Sequence, residues 1–283
     1  MPELPEVETT RRLIEPDLVG RRVSGFEIGW SRTLGGVSEE RLGELLLGKT
    51  CLVIDRRAKY LLAGFAAPRS RDISSWLVVH LRMTGRLVVE PASVSPSPHC
   101  RFSMVLGAKR GQPKARLDFI DPRKFGRCIA TEDPTEVMPA LGPEPLSEDF
   151  TAAGLFQELH ARRRQLKPLL LDQSFLAGLG NIYVDETLFR ARLHPLTSSE
   201  RVSRPKALAL HAAIQTVLAE AIEREGSSFD GFYRTPTGQP GSYQHQFQVY
   251  GRHGKPCREC DTGLRRIVVG QRGTHFCPRC QRR

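Results

Sequence analysis

The chain has no apolar run near 18 residues in length, which argues against a hydrophobic membrane-spanning helix. A basic start followed by an apolar middle, the mark of a secretory signal, is missing too. So is any lipidation motif or basic amphipathic anchor. An even cysteine framework is also lacking. Of seven cysteines, four form two Cys-x-x-Cys pairs, and Cys51, Cys100 and Cys128 are scattered. That usage points to reduced thiols and a metal rather than to disulfides. Acidic residues are in short supply, 31 against 42 Lys and Arg, for a net charge of +11. A surplus of that size in a folded chain predicts a polyanionic partner, nucleic acid before anionic membrane. Together these absences predict a soluble, cytoplasmic protein. Its 283 residues, 40% of them hydrophobic, leave room for two domains and a small appendage.

The opening Met1-Pro2-Glu3 is where chemistry concentrates. If Met1 is removed, the Pro2 nitrogen becomes a free secondary amine. An α-amino group titrates near pH 8, so roughly one in ten is unprotonated at neutral pH, far more than for lysine. Such an amine can attack a sugar carbon. Proline's second carbon substituent makes the product an iminium cation, an electron sink suited to elimination. Glu3 stands beside it as a carboxyl group able to pass protons. The plain alternative is a proline that stiffens the entry to a helix. Leu4-Pro5-Glu6-Val7-Glu8 supports a helix in either case, with acids and a proline in its first turn and an expected end near Pro16.

From there to about residue 130 the pattern predicts short strands at 22–30, 50–55, 60–65, 76–81, 86–90, 102–106, 116–120 and 127–130, with one helix at 38–47 capped by Ser38. So many short strands with so little helix between them predict an antiparallel sandwich. Three turns stand out, each with an ordinary reading as solvated or buried loop. Arg56-Arg57-Ala58-Lys59 puts cations on a turn, Lys59 being a candidate for phosphate contact or proton transfer. His80–Gly85 ends a strand with Met83 on its turn. Asp121-Pro122-Arg123-Lys124-Phe125-Gly126 spaces a cation and an aromatic two residues apart, which can aim Arg123 and Phe125 the same way.

A proline-rich stretch, 132–146, separates this domain (1–131) from a helical one (147–235). Ser147 is the expected N-cap of a helix reaching about His160. Helices are also expected from about 167, over 183–191 and over 204–225, and His194 reads as structural. The glycines of 177–183 lead into a helix, leaving N–H groups for a phosphate or simply allowing close packing. Residues 226–242, rich in Gly, Ser, Thr and Pro, predict a mobile loop. In the last unit (244–283), Cys257-x-x-Cys260 and Cys277-x-x-Cys280 lie sixteen residues apart, a spacing that predicts one structural zinc with a hairpin between the pairs. The hairpin tip is expected at 271–273, carrying Arg272.

Residues 2–9 (Pro-Glu-Leu-Pro-Glu-Val-Glu-Thr), Arg57–Tyr60, His80-Leu81 with Met83, Asp121–Arg123 with Phe125-Gly126, Gly142–Leu146, Gly180–Tyr183, Gln248–Gly251 and the four-cysteine ribbon occur in this order in one family. Over essentially its whole length the chain resembles formamidopyrimidine-DNA glycosylase. The resemblance implies an α+β multidomain fold: an N-terminal antiparallel β-sandwich with a catalytic N-terminal helix, a helix–two-turns–helix domain, and a C-terminal zinc ribbon, with DNA in a cleft. It implies a monomeric bifunctional glycosylase and lyase that flips oxidised purines out of duplex DNA, and that also takes abasic sites. Pro2 would be the nucleophile and Glu3 the proton carrier. Lys59 would serve β-elimination and Arg272 δ-elimination. Asn181, His99 and Arg162 would contact DNA, while Met83, Arg123 and Phe125 fill the gap left by the flipped nucleotide. Glu6 would support the catalytic helix. A related endonuclease VIII branch acting on oxidised pyrimidines is the nearest rival, disfavoured by residues 4–9 and the Arg123/Phe125 pair. A catalytically inactive damage-binding protein is a second, disfavoured by the presence of Pro2 and Glu3. Asp261 stands where the ribbon's turn usually has glycine.

Overall fold

The computed structural model describes residues 1–229, 231 and 233–283. Two compact units divide the chain. One comprises Met1–Pro139 with Glu225–Gly241, the other Ala140–Arg224 with Ser242–Arg283. No helix among the described residues is long and apolar enough to cross a membrane.

The first unit begins with α1 (Leu4–Leu18). Glu3 is its N-cap, and Pro5 sits in the first turn, where a missing N–H costs no helical bond. Val7, Ile14 and Leu18 share one face and enter the sandwich core. The helix runs past its expected end, because Pro16 lies inside it. A proline so near the C-terminus forfeits one bond without stopping the turn, and the Val19 N–H still reaches the Glu15 carbonyl at 3.0 Å.

All eight expected strands form. They are β1 (Val23–Glu27), β2 (Thr50–Arg57), β3 (Tyr60–Ala66), β4 (Ile73–His80), β5 (Arg86–Pro91), β6 (Cys100–Leu106), β7 (Ala115–Ile120) and β8 (Arg127–Thr131). One antiparallel sheet runs β2-β3-β4-β8 and the other β1-β6-β7-β5. Leu61, Phe65, Leu77, Val79, Phe102, Leu117 and Phe119 fill the core of this unit. The helix α2 (Glu39–Leu46) is capped as expected, Ser38 accepting the Arg41 N–H.

Residues 226–242, expected to be a mobile loop, make hydrogen bonds both to α1 and within the segment. The Ser227 N–H donates to Glu6 at 2.8 Å, Ser228 donates to the Tyr233 carbonyl at 2.7 Å, and the Gly241 N–H donates back to Ser228 at 3.0 Å. Asp230 and Phe232 lie outside the described residues.

The second unit carries α3 (Ala152–His160), α4 (Leu166–Leu171), α5 (Asn181–Arg190) and α6 (Arg204–Glu223), then the hairpin β9 (Arg265–Val269) and β10 (Arg272–Phe276). The cap of α3 is Thr151 rather than Ser147: the Thr151 hydroxyl accepts the Gly154 N–H at 3.1 Å. Ser147 is used one turn earlier, where its hydroxyl accepts the Asp149 N–H. Glu186, fully buried on α5, takes the N–H groups of Gln248, Val249 and Tyr250 at 2.8, 3.0 and 2.8 Å. Burial pushes its pKa up, against the pull of those three bonds. The hairpin turn is Gly270-Gln271, one residue earlier than expected. Both residues have positive φ (53° and 62°), the geometry of a two-residue turn matched to strand twist. Arg272 is therefore the first residue of β10.

His80 closes β4 with its ring edge-on to Tyr60 at 4.6 Å. Its Nδ1 accepts the Arg82 N–H at 3.0 Å, so the neutral imidazole shapes the turn carrying Met83. Burial, with the charges of Arg82 and Lys59 behind it, pushes its pKa down from 6.5 to about 3. The unfolded chain takes up this proton near pH 6.5 and the folded one only near 3. The contribution to stability is thus whole above 6.5 and lost as pH falls toward 3. Thermal unfolding followed from pH 7 to 4 should show a falling Tm, and His80→Gln should flatten that slope; an unaltered slope contradicts the assignment.

Candidate nucleic-acid interface and catalytic residues

The N-terminal turn of α1 is held by Glu6. One carboxylate oxygen accepts the Glu3 N–H at 2.8 Å, and the other accepts the Ser227 N–H at 2.8 Å. Pro2 and Glu3 are both buried, Glu3 being 3% exposed. Gly226 (φ +78°) lies so close that a Cβ there would meet the Glu6 Oε1 at 2.7 Å. Glu6 thus does for the helix what the sequence leads one to expect, and it also binds a distant loop.

Lys59, 6% exposed, sits on the two-residue turn between β2 and β3. Ala58 before it has φ +54°, a strained value for a residue with a Cβ. Arg56 braces the turn, donating to the Ala58 carbonyl at 3.0 Å and to Glu8 on α1 at 3.2 Å. Glu8 also takes Arg11 and Arg12. Burial works against its charge, but those bonds and the nearby Arg56 hold its carboxyl below the ordinary range. No motif marks Arg56 or Glu8 for this bracing. The available signal is an acid on a helix that otherwise faces a core.

Asp121, wholly buried, organises the remaining turns of the first unit. Its Oδ1 accepts the Thr84 hydroxyl at 2.5 Å and the Arg123 N–H at 3.2 Å, and its Oδ2 accepts the Gly126 N–H at 2.8 Å. Its own N–H donates to the His99 carbonyl at 2.9 Å. One residue thereby ties the turns bearing Met83, His99, Arg123 and Phe125 to the same end of the sandwich. Phe119 packs beneath two of these turns: a Cβ at Gly126 would meet its ring at 2.2 Å, and one at Gly85 at 2.9 Å. Met83 and Phe125 remain 40% and 49% exposed, unusual for large apolar groups. The Arg123 guanidinium lies 5.0 Å over the Phe125 ring, so the cation and the aromatic present one surface.

In the second unit, Asn181 opens α5 after the glycine turn, with Gly178 at φ +90° and Gln173 bracing the loop at the Gly178 N–H and the Leu179 carbonyl. Its amide nitrogen donates to the Gly273 carbonyl at 3.1 Å, one residue from Arg272. Its buried Oδ1 has no partner. Arg162 lies between α3 and α4, paired with Glu158 and stacked 5.2 Å over Phe175. The four ribbon cysteines have Sγ atoms within 4.8 Å of one another. Separations of 4.0 Å (257–280), 3.5 Å (260–277) and 3.4 Å (260–280) bracket the edge of about 3.8 Å for a tetrahedron with Zn–S bonds near 2.3 Å. The residues present fit a zinc ion. Asp261 takes φ +57° in glycine's usual place, which aspartate tolerates. The Cys257 N–H closes the turn onto the Thr262 carbonyl at 3.0 Å.

Three family models match the chain in order: the formamidopyrimidine-DNA glycosylase N-terminal domain over residues 1–128, its H2TH domain over 141–232, and the zinc finger found in FPG and IleRS over 254–283. Formamidopyrimidine-DNA glycosylases of Chloroflexus aggregans and Thermus thermophilus are each 44% identical, covering 99% of this chain and 98% of theirs. The chain belongs to the formamidopyrimidine-DNA glycosylase family. Among solved structures, MutM (FPG) of Thermus thermophilus superposes with a TM-score of 0.84 at 41% identity, covering 99% of this chain and 98% of that one. Lactococcus lactis Fpg bound to DNA containing an abasic site gives 0.88 at 34%, covering all of both chains.

As a member of this family the chain is a DNA glycosylase with one structural zinc held by Cys257, Cys260, Cys277 and Cys280. The metal supplies folding energy to a module with little core of its own. Cys257 and Cys277 are themselves the buried centre of the cluster formed with Phe189, Val249 and Leu264. Chelation should release one zinc per chain and unfold the region matched by the finger model, while the main thermal transition persists. An unchanged circular dichroism spectrum after verified zinc loss would contradict this. Asp121→Asn turns an acceptor into a donor against the Gly126 N–H. It should lower unfolding free energy by about 1–3 kcal/mol, measurable by urea denaturation; an effect near zero would remove Asp121 as the anchor.

Proposed function

We propose that this chain excises oxidised purines such as 8-oxoguanine and formamidopyrimidines from duplex DNA and then cleaves the strand at the abasic site. The observation carrying the reading is the joint one at the N-terminus. Residues 2–9 lead a buried helix start, gripped by Glu6, within a chain matched end to end by the family's three domains in order. With Met1 removed, the Pro2 nitrogen attacks C1′ of the flipped nucleotide as the bond to the base breaks, and Glu3 carries protons at the sugar. Loss of ring oxygen bonding at C1′ gives an iminium. Removal of a C2′ proton then expels the 3′-phosphate, and a second elimination expels the 5′-phosphate. Lys59 and Arg272 serve these two eliminations and hold phosphates, assisted by Asn181, His99 and Arg162. Met83, Arg123 and Phe125 occupy the space the flipped nucleotide vacates. Their exposure on turns anchored by Asp121 supports a wedge that is held stiffly, as unstacking a base requires. The surplus of cations suits a duplex partner.

Borohydride trapping on 8-oxoguanine duplex tests the reading. It should give a stable protein–DNA crosslink whose adduct maps to Pro2 by mass spectrometry. Glu3→Gln should suppress base removal while still trapping on a preformed abasic site. A variant that retains Met1 should lose both. Crosslinking of that variant at the level of the processed protein would mean that Pro2 is not the nucleophile.

A further inference from the structure

Lys167 on α4, Asp185 on α5 and His275 on β10 form a polar cluster around a buried ion pair, with almost no solvent exposure, at 0%, 1% and 8%. The Lys167 ammonium donates to Asp185 Oδ1 at 2.6 Å. Asp185 Oδ2 accepts the His275 backbone N–H at 2.8 Å and lies 3.2 Å from the ring Nδ1. The same Lys167 ammonium donates to the Gly273 carbonyl at 3.0 Å, and Asn181 donates to that oxygen at 3.1 Å. Gly273 and His275 are two residues apart on β10, so their polar groups lie along the same strand edge. A donor pair meets the carbonyl and an acceptor meets the N–H, as a third strand would. Asn181 and Asp185 are four apart on α5 and share one helix face. Slippage of β10 along α5 would leave both edge groups without partners and strip Lys167 and Asp185 of the bonds they make to the strand.

Stability alone does not explain this arrangement. Buried ion pairs are often replaced by apolar residues of similar size without loss, and their best-attested use is to fix register. We propose that Asp185, with Lys167 and His275, is a positioning residue that holds Asn181 and Arg272 at a fixed separation so that they act as one two-point clamp on the DNA backbone. The inference rests on the reading above that these two residues take phosphates. Arg272 lies next to Gly273 on a hairpin stapled by metal at one end. The cluster supplies the second fixed point, near the tip, and without it the arginine swings on the strand.

The test uses the zinc-loaded full-length chain and duplex DNA carrying a tetrahydrofuran abasic analogue. Asp185→Asn should raise Kd by about tenfold, and Arg272→Ala should then add little, so that the two substitutions are strongly non-additive. The slope of log K against log salt should shrink by about 0.9 for each phosphate that is no longer neutralised. A second variant removes both buried charges, Lys167→Met with Asp185→Leu, and should keep its zinc and stay folded at the assay temperature while showing the same fall in affinity and slope. Additive effects with Arg272→Ala, or wild-type affinity and slope in the stable apolar pair, overturn the clamp. If Arg272→Ala alone binds as the wild type does, the failure lies in the phosphate reading of Arg272 itself.

Discussion

The Glu6 carboxylate is the group on which the arrangement of the first unit depends most. It spans 221 residues of sequence, taking the Glu3 N–H with one oxygen and the Ser227 N–H with the other. The start of α1 is thereby capped from inside, and residues 225–241, which follow α6 in the chain, group with the N-terminal unit. Gly226 is needed there because no side chain fits between the loop and the carboxylate. A buried carboxylate that satisfies two backbone N–H groups avoids the desolvation cost of a lone charge and fixes two segments at once.

The same device recurs. Asp121 gathers two turns, Glu186 takes three consecutive N–H groups, and Asp185 seats the edge of β10. In a chain of net charge +11, these acids are spent inside, on backbone. Arg123, His99 and Arg272 stay outside. That division suits a protein whose partner is a polyanion. Interior anions order the loops, and the loops present cations and exposed apolar side chains. Lys59 is the exception, a nearly buried cation on a strained turn, and that turn is braced by Arg56, which itself pairs with Glu8.

Much of this was legible in the sequence because it is local. Short apolar runs separated by turn residues set the strands of the sandwich, and the paired Cys-x-x-Cys motifs set the zinc, since ligand spacing is a property of the chain itself. The proline and acids of residues 2–8 set a helix start, and the Arg123/Phe125 spacing set a shared direction for two side chains. Boundaries decided by competition between neighbouring signals moved. Thr151 rather than Ser147 caps α3, Pro16 falls within α1, and the hairpin turn is at Gly270-Gln271, because capping and turn geometry are settled by which backbone groups find partners. Only the tertiary structure decided which acids become anchors. Nothing near Glu6 announces Ser227, nothing near Asp121 announces Thr84, and nothing near Asp185 announces His275. These pairings are made by chain segments 37 to 221 residues apart. A carboxylate's hydrogen-bonding capacity is visible in one dimension, but the N–H groups that will meet it are chosen by packing in three.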